Sequence, residues 1–186
     1  MTKYYVSYDK ASGAVTARYD SDIQNPPSGA SIIEVPDQAT MLQTLVSGWT
    51  VVNGALTAPP APTAAQLLAQ AQSAQILLLK QAYQQAIQQP VSFTSKGGIT
   101  KTYQADPGSI SNLQSMLLAF QAAAAVPAGF YWVSADNTQV PFTYADMQGL
   151  AQTIGAQGAA EFQHLQNLKA EVLAATTVSA VQAITW

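Results

Sequence analysis

A chain of 186 residues is long enough for one domain with a good core, or for a small domain beside a medium one. Its hydrophobic share of 48% argues against wholesale disorder, and ten acidic against seven basic residues leave a net charge of −3 with no basic stripe to replace counterions on phosphates. Nucleic-acid binding is therefore not expected, and the absence of cysteine excludes disulfides and thiolate metal sites.

Charged residues make up only 9% of the chain, against ~25% in average soluble domains, and glutamine fills the gap on the expected helices. Helix faces of Gln and Ala suit surfaces that meet another protein; compositional drift explains them as well. The start, MTKYYVSYDK, has no apolar signal-peptide core, and no run approaches the ~18 apolar residues of a membrane span. No membrane partner is expected, and folding in a cytoplasm is the default.

In chain order, YYVSY (4–8) and AVTARY (14–19) alternate around KASG and read as a β-hairpin. After the Pro- and Gly-marked loop SDIQNPPSGA comes a strand, SIIEV (31–35). Pro36 and Asp37 then start a short helix with Met41, Leu42 and Leu45 on one side, stopped by Gly48. WTVVNGALT is the strongest hairpin signal, because Asn53-Gly54 accepts the positive φ values of a type I′ turn. Prolines 59, 60 and 62 in APPAPT make an extended linker.

Thr63 caps a helix expected to run from 64 to Gln89, where Pro90 ends it, a length of ~39 Å. Leu67, Leu68, Ala71, Ala74, Leu78 and Ala82 make its stripe, and Ile76–Leu79 is apolar around more than one face. The helix packs into a core or joins a small oligomer seam. VSFTSKGGITKTYQAD reads as a hairpin, and Asp106-Pro107 opens a helix with Ile110, Leu113, Leu117, Phe120 and Ala124 on its buried face. FYWVS and QVPFT flank Asp136-Asn137 in a second hairpin, and Thr143 caps a helix carrying Met147, Leu150, Ala151 and Ile154. TYQAD and TYAD stand before the two helices as a weak internal echo. The last long helix continues with Phe162, Leu165, Leu168 and Val172 inward; Gly155 and Gly158 weaken it by ~1 kcal/mol each unless close packing requires them. Thr176 or Thr177 caps a final short helix before Trp186.

Chemistry is hard to assemble from these residues. His164, the only histidine, has Glu161 alone as a sequence-near partner, within reach of a local hydrogen bond. KGGITKT fails the phosphate-loop pattern because position 100 is threonine, so the glycines belong to a tight turn. Asp106, Asp136 and Asp146 each have a local task as helix cap, turn former and partner of a helix N-terminus. No catalytic, cofactor-binding or metal residue is expected. The aromatics are more informative. Tyr4, Tyr5, Tyr8, Trp49, Tyr131 and Trp132 are the candidate partner-binding residues, since alternation sends some of each hairpin's rings away from the core. Cross-strand packing within the sheets explains them equally well.

WVSADNTQVPFTYADMQGL, His164 and Lys169 in an Ala-rich helix, the closing ATTVSAVQAITW, and the upstream FTSKGGITKTYQAD together resemble a domain family of unknown function found at the C-termini of phage and prophage tail proteins. The likeness covers about residues 64–186. The N-terminal KYYVSYDKASGAV and the Pro-rich joint are similar in layout to the starts of phage tail fibre assembly proteins. The expected fold is α+β: a small β-rich module (1–57), a Pro-rich linker (58–63), and a helix–hairpin–helix–hairpin–helix domain (64–186). The resemblance implies a non-enzymatic accessory that binds a tail fibre or baseplate protein as an assembly chaperone. It would work in the host cytoplasm, and either remain attached or leave. A permanent component of the virion tail, oligomeric with itself, and a carbohydrate-binding module at the host surface are the alternatives.

Overall fold

The computed structural model describes residues 2–186, and the chain is mixed α and β with small sheets. It divides into two compact units, Met1–Pro62 and Thr63–Trp186.

In the first unit, β1 (Tyr4–Tyr8) is the centre of an antiparallel sheet ordered β2-β1-β3, with β2 at Val15–Asp20 and β3 at Ile32–Val35. Helix α1 (Gln38–Gln43) starts at Asp37, whose carboxylate accepts from the Thr40 N–H at 2.7 Å. Val6, Val35 and Met41 form the core. Leu42 and Leu45, expected beside Met41, are exposed: a helix this short offers only one buried position to the sheet. Arg18 lies across the pairing from Val6 and donates to both the side chain and the carbonyl of the buried Thr44, placing a cation on the α1 C-terminus. The hairpin of β4 (Thr50–Val52) and β5 (Ala55–Thr57) turns through Asn53 and Gly54, both at positive φ. It docks on the first hairpin at Gly13, whose carbonyl accepts from the Val51 N–H at 2.7 Å; a Cβ there would lie 2.7 Å from the Val51 oxygen.

In the second unit, α2 (Ala64–Ala86) has a full capping box from Thr63 and Gln66. It ends three residues before the expected Gln89, because the chain tightens into turns ahead of Pro90. Then come β6 (Val91–Thr94), β7 (Thr100–Tyr103), α3 (Pro107–Phe120), β8 (Tyr131–Val133), β9 (Gln139–Pro141), α4 (Tyr144–Ala174) and α5 (Val178–Gln182). Each hairpin is its own two-stranded sheet. Ala124 falls outside α3, at a φ of +47°, and is exposed rather than on its buried face.

The 31 residues of α4 span two cores. Its early turns carry Met147 and Leu150 into a cluster with Val91, Tyr103, Leu113, Val140 and Phe142. Its late turns carry Leu165, Leu168 and Val172 into a second cluster with Leu79 of α2 and Val181 of α5. Phe162 is exposed, edge-on to Tyr83 at 6.3 Å, instead of facing inward. On α2 the inward stripe is Leu68, Ala71, Gln75, Leu79 and Tyr83, while Leu67 and Leu78 of the expected stripe point to solvent with Leu77.

Gln75 sits inside because three glutamine amides close helix and chain ends. The Gln72 amide donates to the Val172 and Ala175 carbonyls, both at 3.2 Å. The Gln157 amide donates to Ala86 and Gln89, at 3.2 and 2.9 Å. Gln75 itself donates to Ile184 at 2.6 Å. Helices α2 and α4 thus run antiparallel, each supplying donors to the orphan carbonyls at the other's end. These glutamines are internal struts, not the partner-facing surface that composition suggested.

A candidate docking groove between α3 and β8

Asp106 fixes the start of α3. Its carboxylate accepts from the Gly108 and Ser109 N–H groups at 2.9 and 3.1 Å and from the Ser109 hydroxyl at 2.6 Å, and these bonds, the hydroxyl's first, hold its carboxyl below the ordinary range. Pro107 takes the first helical position, where no N–H is needed. Ser109, Asn112 and Met116 then recur at helical spacing along one side of α3.

Opposite them runs β8. Its hairpin is anchored to β7 by the Ala135 N–H, which donates to the Thr102 carbonyl at 2.8 Å, and by Lys101, which meets Asp136 at 2.6 Å. Lys101, Ser134 and Thr138 hold the Asp136 carboxyl far below its usual value. Asp146, at the third position of α4, ties the β6–β7 turn to the segment that follows β9. It accepts from the Lys96 N–H at 2.6 Å and the Thr143 N–H at 2.7 Å. Burial pushes its carboxyl up, but the bonds from Thr143 and Lys96 outweigh that and keep it below the ordinary range.

Between these supports lies a groove of about 370 Å³ lined by Gln104, Ser109, Asn112, Met116, Tyr131, Trp132 and Val133. No charged side chain lines it, so it suits a neutral ligand surface. Trp132 is half-buried and stacks on Phe142, with ring centres 6.5 Å apart and planes 25° apart. Tyr131 is 46% exposed. Of the six aromatics named from sequence, these two come together on the groove. Tyr4 packs on the first unit's core; Tyr5 faces Tyr19 and Glu34 across the sheet; Tyr8 pairs with Val15; Trp49, half-buried, accepts the Val15 N–H at its carbonyl. Sequence reasoning missed Gln104, Asn112 and Met116: helical spacing from Asp106 puts Asn112 and Met116 on one side of α3, while Gln104 lies ahead of the helix in the link from β7, where no periodic pattern marks it.

The other candidate groups stay apart. His164 packs edge-on against Trp186, with ring centres 4.8 Å apart, and makes no hydrogen bond to Glu161. Among the described residues no three His, Asp or Glu side chains converge in a way that could hold a metal ion, and no helix is long and apolar enough to cross a membrane.

The groove and both cores of the second unit fall almost wholly within a stretch, residues 70–185, that matches the model of a domain of unknown function, DUF4376. The chain belongs to the DUF4376 family. No curated protein and no solved structure matches it. In this DUF4376 chain the match begins inside α2 and extends into the tail after α5, so every glutamine strut and every wall of the groove lies in the family's domain.

Proposed function

We propose that this chain is a non-enzymatic phage tail accessory protein that binds a tail fibre or baseplate protein as an assembly chaperone, and either remains attached or leaves once assembly is complete. The phage context comes from the sequence resemblance at WVSADNTQVPFTYADMQGL and at the aromatic N-terminal strand. The observation that carries the binding role is the uncharged groove of Tyr131, Trp132, Gln104 and Asn112 beside β8. Two supports add to it. Leu67, Leu77 and Leu78 give α2 an outward apolar stripe, and Asp37, Asp106 and Asp146 are each engaged in holding a helix start. In this reading residues 1–57 form a small β-rich gripping module, 58–63 a stiff joint, and 64–186 the domain that presents the groove.

Co-expression with a phage tail fibre protein, chosen from the genes that flank this chain's own, tests the reading. A fibre that becomes soluble and co-purifies supports it. A fibre that folds equally well alone and never co-purifies overturns it. Mass spectrometry of purified particles separates an attached chaperone or permanent tail component, which is present, from one that leaves, which is absent.

A further inference from the structure

The hairpin of β8 and β9 treats its two outer edges differently. The Ser134 N–H donates to Thr138 and the Phe142 N–H to Phe130. With the register Trp132↔Val140, these bonds fix 130/142, 132/140 and 134/138 as the pairs that bond across the hairpin. The backbones of Tyr131 and Val133 therefore point away from β9, and those of Gln139 and Pro141 point away from β8. On the β9 side Pro141 has no N–H to offer, so that edge is blocked. On the β8 side Tyr131-Trp132-Val133 carries no proline, lysine or bulge. The next residue on that edge, Ala135, already pairs, its N–H donating to Thr102. The open edge is the floor of the groove, and α3 is its far wall.

We infer that this groove binds an extended peptide segment of a partner protein by strand addition to β8. Unpaired N–H and C=O groups spaced two residues apart along a strand are met in full only by another extended backbone. The walls suit alternate side chains of such a segment. Met116 adapts to varied apolar groups, and the Gln104 and Asn112 amides bond neutral polar ones. With no charge in the groove, the segment is uncharged at its inward positions. This deepens the docking role proposed above and rests on the groove being a docking site, but not on the partner's being a tail protein.

The test selects random linear peptides displayed on filamentous phage against the full chain, then measures a synthetic peptide of the enriched sequence. Enriched peptides should lack proline at their centre and lack charge at alternate positions. The peptide should slow hydrogen exchange at the Tyr131 and Val133 amides by roughly tenfold or more. Val133→Pro should abolish binding, since it removes an outward N–H without touching the β8–β9 ladder. Asn112→Trp, on an exposed helix face, should fill the groove and do the same, which keeps the test intact should the proline variant unfold. No enrichment over the Asn112→Trp chain, or protection that maps elsewhere, overturns the inference. So does a glycan array on which binding depends on Trp132 while no peptide competes. A fibre that co-purifies with Asn112→Trp as well as with the parent sinks strand addition and leaves the tail reading standing; peptides that bind while no fibre does sink the tail reading alone.

Discussion

Gly149 stands where the second unit leaves no room for a side chain. A Cβ on it would lie 2.8 and 2.9 Å from the Phe93 ring, and that ring is held between Tyr103 and Phe142 at centre distances of 6.3 and 5.9 Å. Gly155 and Gly158, further along α4, have nothing within 4 Å of a Cβ, so no packing need explains them. Gly149→Ala should therefore cost about 1–3 kcal/mol by overpacking. Gly155→Ala should stabilise by about 0.5–1 kcal/mol by removing backbone freedom from the unfolded chain, and urea midpoints read both. Tyr103 is a second special residue. Its ring is fully buried, and its hydroxyl has no hydrogen-bond partner. Burial first, then the Asp146 and Asp136 carboxylates, push the phenol's pKa up, so it stays neutral. Because no bond is lost, Tyr103→Phe should leave stability unchanged or raise it by up to about 1 kcal/mol. A loss above that in calorimetry would mean that the hydroxyl is satisfied in solution.

At the scale of elements, Asp146 ties three pieces: the α4 start, the Thr143 backbone before it, and the β6–β7 turn at Lys96. Its depressed folded pKa means that its contribution is complete above the unfolded aspartate value near ~3.9 and is lost as pH falls through the folded value. Asp146→Asn should cost about 1–3 kcal/mol at neutral pH, because an amide nitrogen must face one of those N–H donors. Its denaturation midpoint should also fall less steeply below pH ~4 than the parent's. Sequence shows much at this level. Asp37, Thr63, Asp106 and Thr143 are visible as caps because each is a short polar side chain ahead of an apolar period; Thr177 is visible only as one of two adjacent threonines, and Asn53-Gly54 announces its own turn. What sequence hides is direction. Gln72, Gln75 and Gln157 read as surface, yet their amides turn inward to carbonyls about 70 to 110 residues away in the chain, and no local pattern encodes that. TYQAD and TYAD show the same limit. Asp106 caps α3, but in the second string Thr143 is the cap and Asp146 lies three residues in; Tyr103 is sealed at the end of β7 while Tyr144 opens α4. The letters match and the positions do not. The groove was half legible: two of its aromatics stood out, but its polar wall depends on α3 packing beside β8.

For the second unit as a whole, the decisive feature is one helix that serves two cores. From 155 to 161 α4 reads GAQGAAE, with no large apolar side chain, and this stretch separates Met147 and Leu150 from Leu165, Leu168 and Val172. The first core is closed by hairpins and α3, and the second by α2 and α5, so the two share little except the helix backbone. Local stability should then divide along the same line, since opening one core exposes apolar surface that the other does not cover. Val172, fully buried in the second core, is the position that separates the cases. Val172→Ala leaves a cavity and should cost about 1–3 kcal/mol. Native-state hydrogen exchange should show that loss at the amides of α2, late α4 and α5, while Tyr103, Val140 and Met147 keep most of their protection. Equal loss at every amide would mean that α4 transmits the disturbance through its small-residue stretch and that the two cores unfold as one. A loss confined to α5 would mean instead that Val172 holds only the closing helix, and that Leu79, Leu165 and Leu168 suffice to keep α2 on α4.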